Sequence, residues 1–161
     1  MKPIQVPFQI LEIEDLGELS PEEQKLIEYS RNMTDNAYAP YSGFFVGAAI
    51  LLENGEIIKG SNQENAAYPS GLCAERVAIF SASANYPGVK IKTIAVSARS
   101  DKHLVDYPVS PCGACRQVLV EYEFNQKESI KLLLSGISGK VYLIDKVRDL
   151  LPFSFTAEDL G

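Results

Sequence analysis

All three cysteines of this 161-residue chain fall in two short pieces, Leu72-Cys73-Ala74-Glu75-Arg76 and Pro111-Cys112-Gly113-Ala114-Cys115-Arg116. A C-x-x-C pair alone suits a redox couple or a chance spacing equally well. The third thiol changes the chemistry. Three thiolates hold a zinc ion tetrahedrally and leave its fourth position to water, the open arrangement of a catalytic site, whereas a closed structural site takes four protein ligands. The one histidine, His103, lies in a polar stretch outside both pieces.

Cys112 and Cys115, at i and i+3, share one face of a helical turn, so both sulfurs can reach one ion about 2.3 Å away. Cys73, at a second helix start, completes the set. Helix N-termini carry partial positive charge and favour thiolates there. Three thiolates around a dication still leave one net negative charge, so compensation is needed. Arg76, three residues past Cys73, and Arg116, one residue past Cys115, are the candidates for donating charge-assisted hydrogen bonds to sulfur. Glu75 stands two residues from Cys73, a spacing that faces away in a regular helix, so it is not expected as a fourth ligand. Taken alone it is an ordinary first-turn carboxylate favoured by the helix dipole.

The elements that must position these groups follow from periodicity and punctuation. Ser20-Pro21-Glu22-Glu23 has the form of a capped helix start, with Leu26, Ile27, Tyr29 or Ser30 and Met33 on one face and an end before Pro40. The apolar run from 44 to 52, then Asn54-Gly55 and residues 56–59, predicts a hairpin with a two-residue turn. Helices are expected over 73–84 and 112–122, strands over 92–98, 130–134 and 141–144, and a last short helix over 145–150. Upstream, Ile4, Val6, Phe8 and Ile10 alternate as in an edge strand that Pro7 restricts, or form an extended arm. Strands alternating with helices predict one α/β domain over 1–161, with 1–19 as an N-terminal arm.

Composition narrows the function. A chain of this length buries about 68–70% of its unfolded surface, so it needs no disulfide staple. An odd number of cysteines and the lack of an apolar run of about 20 residues point to a reducing cytoplasm and no membrane span. A net charge of −6 argues against nucleic-acid partners and is compatible with a small neutral substrate.

Cys73-Ala74-Glu75-Arg76 with Pro111-Cys112-Gly113-Ala114-Cys115-Arg116 resembles the cytidine deaminase family in its small, three-cysteine form, a relative of the zinc deaminases whose signature pairs a non-ligand glutamate with P-C-x-x-C. The likeness extends to Ala37-Tyr38-Ala39-Pro40-Tyr41-Ser42-Gly43-Phe44, to Asn62-x-Glu64-Asn65-Ala66-Ala67-Tyr68 and to Leu150-Leu151-Pro152, about residues 20–160 in all. It implies a three-layer α/β/α fold with a mixed, mostly five-stranded sheet, and one Zn²⁺ per chain on Cys73, Cys112 and Cys115. Glu75 would carry protons from water to ring nitrogen N3 of cytosine as C4 is attacked. Asn62 and Glu64 would grip the ribose 3′-hydroxyl, Phe44 would lie against the nucleoside, and Ala74 would contact substrate. Ala66, Tyr68 and Phe155 would act at a neighbouring subunit's site in a homotetramer, with Phe153 the competitor to Phe155.

The activity so implied is hydrolytic deamination of cytidine and 2′-deoxycytidine, in pyrimidine salvage. The alternatives are a deaminase for a related aminopyrimidine such as blasticidin S, and a non-catalytic zinc-stabilised binding protein. Two features depart from the small family pattern: the arm, and the loop from Ser100 to Pro108 between the metal motifs.

Overall fold

Residues 44–52 carry no polar side chain, and the burial of 47–52 on both sides of the sheet explains the layering. In the computed structural model, which describes residues 1–6 and 8–161, β2 (Phe44–Leu52) lies inside a six-stranded sheet, one strand from its edge. Ala48, Ile50 and Leu52 point to one core with Ile79, Ile94 and Leu119, while Ala49 and Leu51 point to the other with Leu26, Ile27 and Leu133. Strand alternation thus feeds two apolar layers at once.

The sheet order is β1-β6-β5-β4-β2-β3, with β1 Leu11–Ile13, β3 Ile57–Ser61, β4 Ile91–Ser100, β5 Lys131–Gly136 and β6 Val141–Ile144. Among these strands of the described residues, only β4 and β5 pair in parallel. Helix α1 (Pro21–Met33) covers one face; α2 (Ala74–Asn85) and α3 (Gly113–Gln126) cover the other. The three-layer α/β/α architecture with a mixed sheet is therefore as expected, with six strands where about five were. Among the described residues no helix is long and apolar enough to cross a membrane.

Local differences have local causes. The extra strand lies at Leu11–Ile13, because only there does the chain run beside β6, pairing Leu11 with Leu143 and Ile13 with Val141. Residues 4, 6, 8 and 10 form no strand, and Pro7 lies outside the described residues. The β2–β3 hairpin closes through three residues, Glu53 to Gly55. Gly55 N donates to Leu52 O, Leu52 N to Glu56 O, and Gly55 takes φ +87°, which a side chain would resist. The expected helix at 145–150 is a four-residue 3₁₀ turn, Val147–Leu150.

The α2 start is held by contact. A Cβ at Gly60 on β3 would stand 2.6 Å from Ala78 N and 2.7 Å from Ala74 O, so the helix backbone rests directly on the strand. At the other end of the same layer, the Glu123 carboxylate of α3, only 1% exposed, accepts from Ile130 N (2.8 Å) and Val147 N (3.0 Å) and pairs with Arg148.

Gly60→Ala must push α2 off the sheet. The expected cost is about 1–3 kcal/mol, read as a lower denaturant midpoint at unchanged slope, with reduced zinc retention. A wild-type midpoint would mean that α2 shifts without penalty.

Candidate metal centre and substrate pocket

Each cysteine piece caps a helix. Cys73 has extended backbone (φ −71°, ψ 154°) and is the N-cap of α2; Cys112 (φ −66°, ψ 165°) is the N-cap of α3, and Cys115 lies in that helix's first turn. Both N-termini converge, and the three sulfurs lie within 4.8 Å of one another. Among the described residues no histidine or carboxylate joins that cluster. Cys115 is buried, Cys73 half-buried and Cys112 exposed, so the group runs from the core to the surface.

The donor set fits zinc. Two sulfurs about 2.3 Å from a tetrahedral ion lie about 3.8 Å apart, and Cys73 Sγ and Cys112 Sγ are separated by 3.8 Å. That is far beyond a disulfide's length of about 2.05 Å. Charge points the same way. Without a cation the sulfurs compete for protons. A hydrogen bond from Cys115, aided by Arg76, draws the Cys73 thiol down to about 5, while the Cys73 thiolate, burial and Glu75 push the Cys115 thiol up. A dication among them removes the conflict, since metal binding takes all its thiols as thiolates.

Arg76 behaves as expected: its Nη2 donates to Cys73 Sγ at 3.6 Å. Its buried Nε has no partner among the described residues. Arg116 is placed differently from the expectation. Its Nε donates to Pro111 O at 2.9 Å and its Nη1 to Leu150 O at 3.2 Å, so it braces the loop before Cys112 against the C-terminal segment. Glu75 is 4% exposed, and burial, followed by the Cys73 charge, raises its pKa against the opposing pull of Cys115 and Arg76. Ala74, between thiol and carboxyl, is wholly buried.

Beside Cys73 and Arg76 opens a pocket of about 540 Å³. Asn62, Glu64 and Tyr68 line it, as do Tyr41, Ser42 and Leu72, which the sequence analysis did not assign to substrate. Tyr41 was within reach of the sequence, since it lies in the 37–44 motif, and its ring meets that of Tyr68 edge to face at 5.9 Å. Asn62 Oδ1 accepts from Val46 N (2.7 Å) and Nδ2 donates to Phe44 O (3.0 Å), which ties the start of β2 to the pocket wall. Glu64 Oε2 accepts from Tyr41 N (2.9 Å) and Ser42 N (3.3 Å). The Ser42 side chain, then these amides and Lys102, lower its pKa.

Besides the buried Ala74, three candidates stand apart from this lining. Phe44 is half-buried at the strand start, Ala66 is exposed, and Phe155 is exposed with its carbonyl held by Gln117 Nε2 at 2.7 Å. Phe153 is more exposed still.

An α/β/α sandwich with three convergent thiols and a buried carboxyl beside them defines a class: layered proteins built around an open, sulfur-rich metal centre. Residues 20–128 match the family model described as the cytidine and deoxycytidylate deaminase zinc-binding region. A cytidine deaminase of Halalkalibacterium halodurans is 41% identical over 138 residues, 86% of this chain and 97% of that protein. One from Sporosarcina psychrophila is 44% identical over 139 residues, 86% and 94% of the two chains. The crystal structure of cytidine deaminase from Burkholderia pseudomallei superposes with a TM-score of 0.72 at 39% identity, covering 85% of this chain and all of the other. This chain belongs to the cytidine and deoxycytidylate deaminase family, whose metal is zinc.

Arg76→Ala removes the cation that faces Cys73. Competition against a chelator is expected to show zinc affinity lower by about 10- to 100-fold, with Arg76→Lys intermediate. Equal affinity in all three proteins would reduce Arg76 to a bystander.

Proposed function

We propose that the chain is a zinc-dependent deaminase that hydrolyses cytidine and 2′-deoxycytidine to uridine and 2′-deoxyuridine with release of ammonia, and that the 161 residues act as one catalytic domain. The observation that carries the residue assignment is the buried Glu75 carboxyl, of raised pKa, in the first turn of the helix that Cys73 of the three-thiol cluster caps.

Cys73, Cys112 and Cys115 would hold the zinc. When bound, it supplies the Lewis acidity that makes water a nucleophile near neutral pH. Glu75 takes the proton that water gives up and delivers it to N3 of cytosine as oxygen adds at C4. It then carries a second proton to the exocyclic nitrogen, which leaves as ammonia while C4 becomes a carbonyl. One water is consumed and one ammonia released. Burial suits the carboxyl to both directions, because a raised pKa brings its two protonation states closer in energy at neutral pH.

The remaining residues bind. Asn62 can donate to and Glu64 accept from a sugar hydroxyl, each already fixed by backbone bonds. Phe44, whose carbonyl Asn62 holds, would lie against the nucleoside, and Ala74 would border the base. Arg76 offsets thiolate charge, while Arg116 steadies the loop that ends in Cys112. Exposed Tyr68 and Phe155, with Ala66, suit a role at the site of a neighbouring copy, which supports a homotetramer with shared sites. Of the two C-terminal aromatics we favour Phe155, which Gln117 anchors. Three free thiols support a cytoplasmic place, and the products support a role in pyrimidine salvage.

The ultraviolet change as cytidine becomes uridine reads turnover directly. Glu75→Gln is expected to keep one zinc per chain and lose about 10²- to 10⁴-fold in kcat, whereas Cys112→Ala loses zinc and turnover together. A zinc-loaded Glu75→Gln enzyme with full activity would remove the carboxyl from the reaction. Wild-type protein that holds zinc yet leaves cytidine unchanged would overturn the assignment.

A further inference from the structure

The N-terminal arm lies outside the family model, which begins at residue 20, and its apolar side chains lie open. Ile4, Val6, Phe8 and Ile10 are 85%, 45%, 49% and 36% exposed. They lead into β1, the edge strand of the sheet, which pairs with β6 on one side only. An apolar, alternating segment continuous with an unpaired edge is a template for another strand. The question is whose.

The segment itself answers, because it is complementary to its own reverse. Lay residues 2–12 antiparallel on the same residues of a second copy, with the two-fold axis at position 7. Ile4 then falls opposite Ile10, Val6 opposite Phe8, Gln5 opposite Gln9 and Lys2 opposite Glu12. Apolar meets apolar, amide meets amide, and the two charged ends meet with opposite sign. Shifting the register by two residues, to centre on Phe8, sets Ile4 against Glu12 and loses this match. The prolines agree as well. Pro3 and Pro7 share one parity, so an extended segment loses donors along one edge only, and residues 4, 6, 8, 10 and 12 keep every N–H along the other. Glu12 already receives Lys140 Nζ at 2.6 Å, and its carboxylate has lone pairs for a second cation.

We infer that residues 2–12 form a self-pairing strand that joins two copies of this chain edge to edge, each arm adding to β1 of the other in an isologous antiparallel contact. The joint lies at the edge of the sheet and draws on none of the residues assigned to substrate. It is independent of the deaminase reading.

Light scattering on the full chain tests it. Phe8→Asp sets a charge against Val6 of the second copy in both halves of the joint, and Val6→Lys does the converse. The joint uses none of the residues of the shared sites, so each single variant is expected to keep the site-sharing assembly at a mass below the wild type's, with cytidine turnover unchanged, which also reports intact folding. The double variant Val6→Lys/Phe8→Asp places opposite charges face to face and is expected to regain the wild-type mass. Single variants of undiminished mass overturn the joint. A double variant that stays at the mass of the single variants overturns this register.

Discussion

Three sulfurs that would repel one another as anions are held within 4.8 Å by the helix ends that carry them, and the rest of the structure serves that crowding. Two are helix N-caps and the third sits one turn into a helix, so the position of each sulfur is the position of a helix end. The ends of α2 and α3 are in turn set from the sheet. Gly60 lets α2 lie with its backbone on β3, and Glu123 fastens the far end of α3 to the strand and turn beyond it. A metal at the junction therefore ties together two helices that are otherwise fixed at separate places on one face of the sheet. Its binding energy becomes folding energy for the layer that carries the pocket.

The same crowding tunes the carboxyl beside it. Glu75 is one residue past the first helical position, where the helix dipole would favour a carboxylate, yet burial and the neighbouring Cys73 charge outweigh that preference and raise its pKa. Acid–base capacity here is a consequence of where the sulfurs must be. A group two positions beyond Cys73 on the same helix start cannot avoid that residue's field.

How much of this was readable in the sequence depends on the range over which each signal acts. The thiols, Glu75 and the α1 cap are short-range patterns, and the structure brings the thiols together and caps α1 through Ser20 and Glu23 as the spacing required. Helix α3 runs a turn past its expected end because Glu123, polar on paper, is a core residue once it finds Ile130 N, Val147 N and Arg148. Arg116 illustrates the opposite failure. One residue past Cys115 on a helix is about 100° around the axis, so its guanidinium turns toward Pro111 and Leu150 carbonyls that no local spacing reveals. In the arm the alternation at 4–10 was real, but strand formation needed β6, which reaches only from Val141 to Ile144.

Asn62 and Glu64 show why loop residues can bind tightly without a rigid element beneath them. Each spends part of its hydrogen-bonding capacity on backbone groups distant in sequence: Asn62 on Phe44 and Val46, Glu64 on Tyr41 and Ser42. An amide has four such sites and a carboxylate about four, so the bonds formed leave one amide hydrogen, an amide lone pair and the whole of Glu64 Oε1 for a ligand. The rotamers are chosen on folding rather than on binding, which removes an ordering cost of about 0.5–1.5 kcal/mol per side chain from the binding step. It also couples the pocket to the sheet, since the amide that lines the pocket holds the carbonyl of Phe44 at the start of β2. A substitution at Asn62 therefore loosens that strand end as well as deleting a polar group from the pocket, and its effect cannot be apportioned to either alone.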